Sequence, residues 1–423
     1  MADRMRVLAA ALGTRLRRFP TRAALERHQR RRLRSVLSRA RRVFPYYADV
    51  PDAALAAFPT LNKAAWLAHF DQLNDRGLRL EECLEAARAA ESGRSFDAAL
   101  SGVGVGLSSG TSGRQGVFLT SPAERARWAG TVLAKALPSL LEPARVALVL
   151  RSGGPLYQAV DGGRISFRYV DLALDPDAIA EHLSDFAPTV LAAPPQVLDD
   201  LAARSSVAAG KLRPAVVYSI ADVLDSDVAA RVEAGFGVGV RQVYQATEGF
   251  LGISCSQGTL HLNEDLVHVE REVIDEVSGR FTPIVTDLYR RTQAIIRYRL
   301  GDVLVPAPGG CPCGSVFTAI ERIEGRADDV LRFAAGTGET RPLFADFVRI
   351  AILGAPAVAD FRLLQRVDGT LRLAVRPQRA QASAHLALQG LLRSRGLVVP
   401  QIFGMPWPVE GPTAKRRRVR REG

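Results

Sequence analysis

Cysteine is scarce in this sequence, with four residues among 423, so a framework of disulfide bonds is not expected. Long apolar runs are missing as well, because no stretch approaches the roughly 20 residues of a membrane-spanning helix. The apolar run at 7–12 is too short, and too closely flanked by arginine, to form the core of a secretory signal. We therefore expect a cytoplasmic protein without an integral membrane segment.

The formal net charge of +12 is concentrated near the two ends of the sequence. Residues 1–42 carry 14 arginines against two acidic residues, and residues 415–423 carry six basic residues against one. Such runs are either solvated surfaces or sites that attract a polyanion, such as a nucleotide, a coenzyme or an acidic carrier protein. Aromatic residues do not interleave with these arginines, which argues against a nucleic-acid partner.

Hydrophobic periodicity predicts the order of the structural elements. A segment at about 1–45 has apolar residues at helical spacing and ends at Pro45, so we expect a helical lead-in. Apolar runs then alternate with helix-like stretches, of which the clearest follows Pro195. The runs, rich in β-branched residues, lie at 146–150, 190–193 and 215–218. This alternation predicts parallel strands joined by crossover helices.

The hydrophobic pattern changes past about residue 260. There, apolar and polar residues alternate at 267–270, which predicts antiparallel strands. A glycine-containing loop then gives way to a second boundary near Gly325. We expect a large domain at 1–324 and a small domain at 325–423, with a strand at 371–375 and a helix at 382–392. The predicted fold class is therefore α/β, with parallel or mixed sheets in the large N-terminal domain and a small α+β C-terminal domain.

The segment at 108–116 combines three glycines with four hydroxyl residues and follows an apolar stretch. Glycines expose backbone N–H groups in sharp turns, and hydroxyl groups add donors, which together suit phosphate oxygens. The common Gly-Lys-Ser/Thr ending of a phosphate loop is missing. This segment is either a nucleotide-binding loop or an ordinary surface loop.

Three further clusters carry residue types that suit ATP. Tyr244 could stack on a base, Thr247 could bond a phosphate, and Glu248 could hold Mg²⁺ at the end of a strand. An aspartate after a glycine turn, such as Asp302, can accept both hydroxyls of a ribose. An arginine such as Arg322 can neutralise a phosphate. Taken singly, each such residue is more often part of a turn or a surface charge.

In this order, these motifs resemble the adenylate-forming superfamily, which includes acyl-CoA synthetases, adenylation domains and luciferases. The branch that they resemble is that of phenylacetate-CoA ligase and coenzyme F390 synthetase. The resemblance implies that the glycine and hydroxyl loop closes on the ATP phosphates, with Tyr244 at the adenine, Thr247 at a phosphate and Glu248 at Mg²⁺. The loop residues are Ser108, Ser109, Gly110, Thr111, Ser112 and Gly113.

The same resemblance implies that Asp302 binds the ribose, that Arg322 lies near the ribose and phosphate, and that Asp328 is a hinge between the domains. Lys415 matches the mobile lysine of the small domain, whose charge stabilises the adenylation step. The sequence departs from the family at Arg114-Gln115, where Lys-Pro is common, and no glycine directly precedes Lys415. Lys415 could also be one more cation in a basic tail.

Three cysteines and one histidine form a candidate metal set. Cys311 and Cys313 lie on a tight turn, and Cys255 and His261 lie upstream. Three sulfurs and one imidazole are the complement of a closed tetrahedral zinc site, although pairs with one intervening residue are less diagnostic than Cys-x2-Cys. The phenylacetate-CoA ligase-like branch includes zinc-binding members, which implies a structural Zn²⁺ in the segment at about 250–320.

The resemblance implies ATP-dependent activation of a carboxylic acid as acyl-AMP, with release of pyrophosphate, and transfer to a thiol. The thiol is that of CoA or of the phosphopantetheine on an acyl carrier protein. The residues at 244–250 and 261–265 resemble adenylating enzymes of aryl-polyene pathways such as xanthomonadin, which implies a hydroxybenzoate-like acid. An acidic carrier protein would suit the basic ends of the chain. The sequence does not decide the oligomeric state, and a dimer stays open.

Three alternatives remain open at the level of sequence. The enzyme could transfer AMP to a deazaflavin cofactor, as F390 synthetase does. The chain could also be a zinc-stabilised nucleotide-binding protein without catalytic activity. Finally, the arginine-rich N-terminal segment could attach the protein to the surface of a membrane.

Overall fold

The structure is a computed structural model that describes residues 2–92, 98–107, 116–150, 163–204, 207, 210–408 and 417–422. Within these ranges the helices are α1 (Ala2–Leu16), α2 (Arg22–Val43), α3 (Lys63–Ala68), α4 (Leu80–Ser92), α5 (Pro122–Ala136), α6 (Pro176–Phe186), α7 (Pro195–Ala202), α8 (Ser226–Phe236), α9 (Ala345–Leu353) and α10 (Gln381–Ser394). None of these helices combines the length and the apolar character that crossing a lipid bilayer requires.

Strands account for most of the remaining regular structure. They are β1 (Ala99–Leu100), β2 (Val103–Leu107), β3 (Val117–Thr120), β4 (Ala144–Leu150), β5 (Ile165–Asp171), β6 (Val190–Ala193), β7 (Val216–Ser219), β8 (Val240–Ala246), β9 (Gly249–Ser254), β10 (Leu260–Leu262), β11 (Val267–Asp275), β12 (Arg280–Asp287), β13 (Tyr298–Arg299), β14 (Asp302–Pro306), β15 (Ala319–Arg326), β16 (Leu331–Ala334), β17 (Thr340–Leu343), β18 (Asp360–Gln365), β19 (Leu371–Arg376), β20 (Ile402–Gly404) and β21 (Val419–Arg421). The predicted α/β class is confirmed.

The chain divides into two compact units. The first contains residues 1–274, 283–300 and 306–322, and the second contains residues 275–282, 301–305 and 323–423. The division therefore passes through β11, β12, β14 and β15, each of which continues from one unit into the other.

The predicted helical lead-in is present as α1 and α2. Helix α2 begins after Thr21, whose side chain accepts a hydrogen bond from the Ala24 N–H at 3.2 Å, a common N-cap arrangement. It ends at Val43, just before Pro45, where a proline cannot continue the helix. Leu25 and Leu37 are buried on its inner face.

A parallel sheet forms the centre of the first unit. Strands β5, β4, β6, β7 and β8 lie side by side in that order, and each neighbouring pair is parallel. The strands predicted at 146–150, 190–193 and 215–218 are β4, β6 and β7, and the helix predicted after Pro195 is α7. Because the carboxyl ends of parallel strands meet at one edge of a sheet, β8 brings its last residues to the edge where such sheets bind ligands.

Antiparallel strands continue the same sheet beyond β8. Strand β9 returns antiparallel to β8, with an irregularity in the register between Tyr244 and Gln245. Strand β10 pairs antiparallel with β9 and with β15. The sequence predicts antiparallel strands past about residue 260, and the antiparallel pairing begins earlier, at β9.

The second unit has its own sheet and core. Strands β20, β19, β18 and β21 form a four-stranded mixed sheet, in which β18 and β19 are antiparallel. The strand predicted at 371–375 is β19, and the helix predicted at 382–392 is α10. Leu373, Val348 and Leu388, from β19, α9 and α10, are all below 1 % exposed in one hydrophobic cluster, so this unit is a small α+β structure.

Candidate functional site

The turn between β8 and β9 carries the first candidate residues. Tyr244 is buried in β8, whereas Thr247 and Glu248 in the turn are partly exposed. The Thr247 Oγ1 hydroxyl donates a hydrogen bond to Glu248 Oε2 at 2.9 Å. A hydroxyl and a carboxylate are therefore held together at the carboxyl end of a parallel strand, as the sequence predicts.

Arg290 shapes this turn, although the sequence analysis does not select it. Its Nη2 donates to the Thr247 carbonyl oxygen at 2.8 Å. Its other terminal nitrogen, Nη1, is buried and has no hydrogen-bond partner among the described residues. Asp287 Oδ1 accepts the backbone N–H groups of Tyr289 and Arg290, both at 2.8 Å, and so fixes the loop from which Arg290 projects. Burial raises the pKa of the Asp287 carboxyl, against the opposing effect of Arg290.

Glu124 is a second residue that the sequence analysis missed. It belongs to a capping box with Ser121 at the start of α5, and the Ser-x-x-Glu pattern was visible in the sequence. Its Oε1 also accepts the backbone N–H groups of Arg291 and Thr292, at 2.6 and 2.9 Å. Burial would raise the Glu124 pKa, but the hydrogen bonds from Thr292, Arg291 and Ser121 outweigh it, and the pKa is lowered.

A small, open cleft adjoins the turn. Its lining residues are Lys63, Trp66, Gly116, Val117, Phe118, Thr247, Glu248, Arg290, Gln293, Ile295 and Tyr298. The aromatic rings are fixed, because Trp66 Nε1 donates to the Ala294 carbonyl at 2.9 Å and the ring meets Tyr298 edge-on at 6.0 Å. The cleft therefore combines an apolar, aromatic wall with the polar groups of the turn.

Asp302 lies in the second unit beside an arginine that the sequence analysis did not choose. Arg326 Nη1 donates to Asp302 Oδ1 at 3.3 Å. A Cβ on the intervening Gly301 would approach the Arg326 guanidinium to 2.7 Å, so the glycine leaves room for that side chain. Arg322, the arginine selected from the sequence, forms an ion pair with its neighbour Glu321 in the first unit.

Asp328, the predicted hinge, lies in a short 3-10 turn at Ala327–Asp329 of the second unit. Its side chain is exposed, and its carbonyl oxygen accepts a hydrogen bond from Arg421 Nε at 3.2 Å. The adjacent Asp329 is paired with Arg417 at 2.6 Å. Burial raises the pKa of Asp329, with Arg417 acting in the opposite direction.

Two predicted elements lie outside the described residues. The first is the loop at 108–113, comprising Ser108, Ser109, Gly110, Thr111, Ser112 and Gly113, and the second is Lys415. The strands that flank the loop are described. Leu107 of β2 pairs with Val117 of β3 in an antiparallel hairpin, and Val117 lines the cleft beside Thr247.

The four predicted metal ligands come together in the first unit. Their ligand atoms all lie within 4.8 Å of one another. Cys255 follows β9 and His261 lies in β10, while Cys311 and Cys313 lie on the loop between β14 and β15. The Cys255 and Cys311 sulfurs are 3.7 Å apart, and Cys313 Sγ is 3.4 Å from His261 Nε2.

The protonation of His261 suits metal binding. Its Nδ1 lies 3.1 Å from the Phe317 carbonyl oxygen, and a carbonyl can only accept, so Nδ1 carries the proton. The lone pair is therefore on Nε2, which faces the sulfurs. A backbone acceptor that orients a ligating histidine in this way is a common support of metal sites.

The two thiols on the loop differ in acidity. Hydrogen bonds from the Thr259 side chain and the Cys313 backbone lower the pKa of Cys311 to about 6. Burial raises the pKa of Cys313 to about 11. A divalent cation binds thiolates and would hold both thiols deprotonated. Three sulfurs and one imidazole nitrogen fit tetrahedral Zn²⁺ and leave no position for a water molecule.

A cationic cluster surrounds Tyr289, which directly precedes Arg290. The guanidinium carbons of Arg32, Arg127 and Arg17 lie 4.4, 4.8 and 5.7 Å from the centre of the tyrosine ring. Arg17 also pairs with Asp265 at 3.4 Å. Among the described residues, Arg32 and Arg127 form no ion pair, and Arg32 Nε is buried without a partner. Burial, with the charges of the neighbouring arginines, lowers the pKa of Arg127.

Solved structures with a similar fold include CoA ligases. The chain matches 2-hydroxyisobutyryl-CoA ligase, in its postadenylation state with R3-HIB-AMP, with a TM-score of 0.64 and 16 % identity over 92 % of this chain and 88 % of that chain. It matches a benzoate CoA ligase from Burkholderia xenovorans LB400 with a TM-score of 0.51 and 16 % identity over 72 % and 66 % of the two chains. A third match is the anthranilate CoA ligase AuaEII in complex with anthranoyl-AMP, with a TM-score of 0.50 and 13 % identity over 74 % and 66 %.

No protein-family model and no curated protein sequence matches the chain. At these identities the structural likeness shows the fold alone, which the chain shares with these CoA ligases.

Proposed function

We propose that the protein is an adenylate-forming ligase, which uses ATP to activate a carboxylic acid as acyl-AMP and passes the acyl group to a thiol. The observation that carries this proposal is the set formed by Thr247, Glu248 and Arg290 at the carboxyl end of β8. A hydroxyl, a carboxylate and a buried guanidinium nitrogen without a partner meet there beside an apolar cleft. The shared fold of CoA ligases adds support.

In this proposal each candidate residue has a defined role. Tyr244 contacts the adenine, Thr247 bonds a phosphate, and Glu248 holds Mg²⁺ beside it. The loop at 108–113 binds the phosphates of ATP. Asp302 accepts the ribose hydroxyls, and the contact between Arg326 and Asp302 favours Arg326 over Arg322 as the arginine of that subsite. Asp328 is the hinge.

The reaction has two steps. A carboxylate oxygen of the acid attacks the α-phosphorus of ATP, the bond to the β-phosphate oxygen breaks, and pyrophosphate leaves. Arg290 Nη1 and Lys415 stabilise the negative charge that builds on the phosphorus oxygens, because fixed donors act most strongly where charge develops. A thiol then loses its proton, its sulfur attacks the acyl carbon, and AMP leaves. Rotation about Asp328 between the steps would withdraw Lys415.

The lining of the cleft supports an aromatic acid. Trp66, Phe118 and Tyr298 border the space beside Thr247, and aromatic rings pack well edge-on or offset against another ring. A hydroxybenzoate is therefore the proposed substrate, with its carboxylate directed toward Thr247 and Arg290. The ring hydroxyl would face the opposite end of the cleft.

The cluster around Tyr289 supports an acceptor that carries phosphate. Two guanidinium groups without carboxylate partners among the described residues, those of Arg32 and Arg127, lie over the ring of Tyr289. Tyr289 directly precedes Arg290, whose side chain contacts Thr247. Arginine binds phosphate oxygens through paired N–H groups. The acceptor is CoA or the phosphopantetheine of an acidic acyl carrier protein. Arg127→Gln should raise the KM for CoA, relative to the wild type, much more than it raises the KM for dephospho-CoA.

The Cys255, His261, Cys311 and Cys313 cluster holds a structural Zn²⁺ in this proposal. The ion would connect the β9–β10 hairpin to the loop between β14 and β15. With four protein ligands it has no open position, so its contribution is to the stability of the first unit.

A pyrophosphate-exchange screen tests the proposed function. The purified protein is incubated with ATP, Mg²⁺, labelled pyrophosphate and one acid at a time, taken from benzoate, the hydroxybenzoates, phenylacetate and 2-hydroxyisobutyrate. We expect exchange with a hydroxybenzoate above all others. If no acid supports exchange while the protein still binds ATP, the proposed ligase activity is contradicted. The alternative of a nucleotide-binding protein without catalytic activity would then be favoured.

The acceptor is tested on the acid that passes the screen. Addition of CoA or of a holo-acyl carrier protein should yield a thioester and free AMP. Formation of a stable adenylate on a deazaflavin hydroxyl, with no thioester, would contradict the thiol acceptor and favour the F390 synthetase-like reaction.

A further inference from the structure

Helix α1 exposes a stripe of large apolar side chains to solvent. Met5, Leu8, Leu12 and Leu16 are 66, 52, 48 and 79 % exposed. Their spacing of three, four and four residues places them on one face of the helix. Single exposed leucines are common on protein surfaces, but four in phase along one 15-residue helix form a continuous strip.

The opposite face of α1 fixes the direction of this stripe. Val7, Ala10 and Ala11 pack against α5 so closely that a Cβ on Gly130 would lie 2.2 Å from the Val7 carbonyl oxygen. Ala11 is 2 % exposed. Helix α1 therefore packs closely against α5, with one apolar face buried and a second apolar face turned toward solvent.

Arginines border the stripe on both sides. At 3.6 residues per turn, Arg4 and Arg15 fall along one edge and Arg6 falls along the other. Residues 2–18 carry five arginines against Asp3 as the single acidic residue. The ion pair between Arg6 and Asp3 is exposed at both partners, so it is weak and leaves the face strongly cationic.

The charge pattern selects between two occupants of this face. A second copy of the chain, packed stripe against stripe, would bring two rows of arginines together with almost no acidic residue to neutralise them. An anionic lipid surface accepts both features at once, since leucines enter the acyl boundary while arginines remain among the headgroups. We propose that α1 is an interfacial helix by which the protein binds reversibly to anionic membranes, lying on the surface rather than crossing it.

Vesicle binding tests the proposal on the full-length protein. Co-sedimentation is measured with vesicles of phosphatidylcholine alone and of phosphatidylcholine mixed with phosphatidylglycerol. We expect binding to the anionic vesicles that is reversed by salt. Replacing Leu8 and Leu12 together by glutamine, a good helix former, should lower the partition coefficient about tenfold or more. Leu386→Gln in α10, at a leucine that is 67 % exposed and therefore more accessible than Leu8 or Leu12, is the control and should not change it.

The arginines are tested separately. Replacing Arg4 and Arg18 by glutamine should weaken binding to anionic vesicles about fivefold per charge while leaving the melting temperature unchanged. Equal binding to neutral and anionic vesicles would overturn the electrostatic part of the proposal. No binding by the wild-type protein, or a concentration-dependent dimer that the Leu8 and Leu12 substitutions abolish, would overturn the proposal as a whole. Neither result bears on pyrophosphate exchange, so the test is independent of the proposed activity.

Discussion

Arg290 Nη2 donates a hydrogen bond to the Thr247 carbonyl oxygen at 2.8 Å, across 43 residues of sequence. This contact joins the loop after β12 to the turn after β8. It holds the backbone of the turn whose side chains, Thr247 and Glu248, are proposed to meet the phosphates and Mg²⁺. The Nη1 of the same guanidinium is buried and has no hydrogen-bond partner among the described residues.

Replacing Arg290 by glutamine should therefore impair adenylation. The substitution removes the hydrogen bond to the turn and the positive charge beside the cleft, and hydrogen bonds to charged groups contribute about 1.5 to 3 kcal/mol. We expect kcat/KM for pyrophosphate exchange to fall about tenfold to hundredfold. Arg231→Gln removes a guanidinium that pairs with Asp199 at 2.8 Å on an exposed surface, and this control should retain full exchange. Equal activity of the two variants would remove Arg290 from the site.

The parallel strands could be predicted because their hydrophobic runs are buried on both faces. All four residues of β7 are buried, and β6 is nearly as well covered. The neighbouring strand β5 was not predicted, because it lies at the edge of the sheet and alternates exposed and partly buried residues. Its sequence, Ile-Ser-Phe-Arg-Tyr-Val-Asp, has no apolar run to detect.

The metal cluster could be predicted because cysteine and histidine are rare here and chemically specific. Arg290 could not, since 56 lysines and arginines offer no means of choosing one, and its partner is 43 residues away. Arg326 lies four residues from Arg322, and only the contact with Asp302 distinguishes it. Sequence position likewise gives no sign that 275–282 and 301–305 belong to the second compact unit.

The choice between Arg326 and Arg322 leads to a second prediction. Arg326→Ala should raise the KM for ATP about tenfold or more, because it removes a cationic donor next to the proposed ribose-binding carboxylate of Asp302. Arg322→Ala should change the KM for ATP by less than about threefold, since its ion pair is with Glu321, outside the proposed ribose subsite. Pyrophosphate exchange at varied ATP concentrations measures both values. A larger rise in the KM for ATP in Arg322→Ala than in Arg326→Ala would assign the ribose subsite to Arg322, the arginine chosen from the sequence.

Substitution of Lys415 is expected to affect the two half-reactions differently. Lys415→Ala should slow acyl-AMP formation by about 10² to 10³-fold, the usual cost of removing a group that stabilises charge in the transition state. Thioester formation from preformed acyl-AMP should remain within about tenfold, because the lysine has no role once the α-phosphorus has reacted. Lys211→Ala, at an exposed position of the first unit, is the control. An equal loss in both half-reactions would contradict the assignment.

Metal analysis addresses the cysteine cluster. The purified protein should contain about one equivalent of zinc per chain, and Cys311→Ser or His261→Ala should lose most of it. Removal of the ion by a chelator should lower the melting temperature, because metal binding stabilises the folded state. Cys83→Ser changes a buried thiol outside the cluster and should keep its zinc. Less than about half an equivalent in the wild type, with an unchanged melting temperature in Cys311→Ser, would refute the site.

The cationic cluster around Tyr289 also predicts how stability depends on pH. His28 is buried at 9 % exposure and its Nε2 lies 3.2 Å from the Asp265 carbonyl oxygen. Burial, followed by the charges of Arg17 and Arg32, lowers its pKa from the ordinary value of 6.5, against the opposing effect of Asp265. The unfolded chain therefore takes up this proton at a higher pH than the folded protein does. It follows that the contribution of His28 to the free energy of unfolding decreases as the pH falls below about 6.5.

Urea denaturation at about pH 7.5 and about pH 5.5 measures this dependence. The wild-type protein should lose stability at the lower pH, and His28→Gln should lose less, whatever its stability at the higher pH, because glutamine cannot titrate. His182→Gln, which replaces an exposed histidine on α6, should behave as the wild type does. If the His28 variant loses as much stability as the wild type between the two pH values, the folded protein does not hold the pKa of His28 below its ordinary value, and the burial and neighbouring charges of this residue have been misjudged.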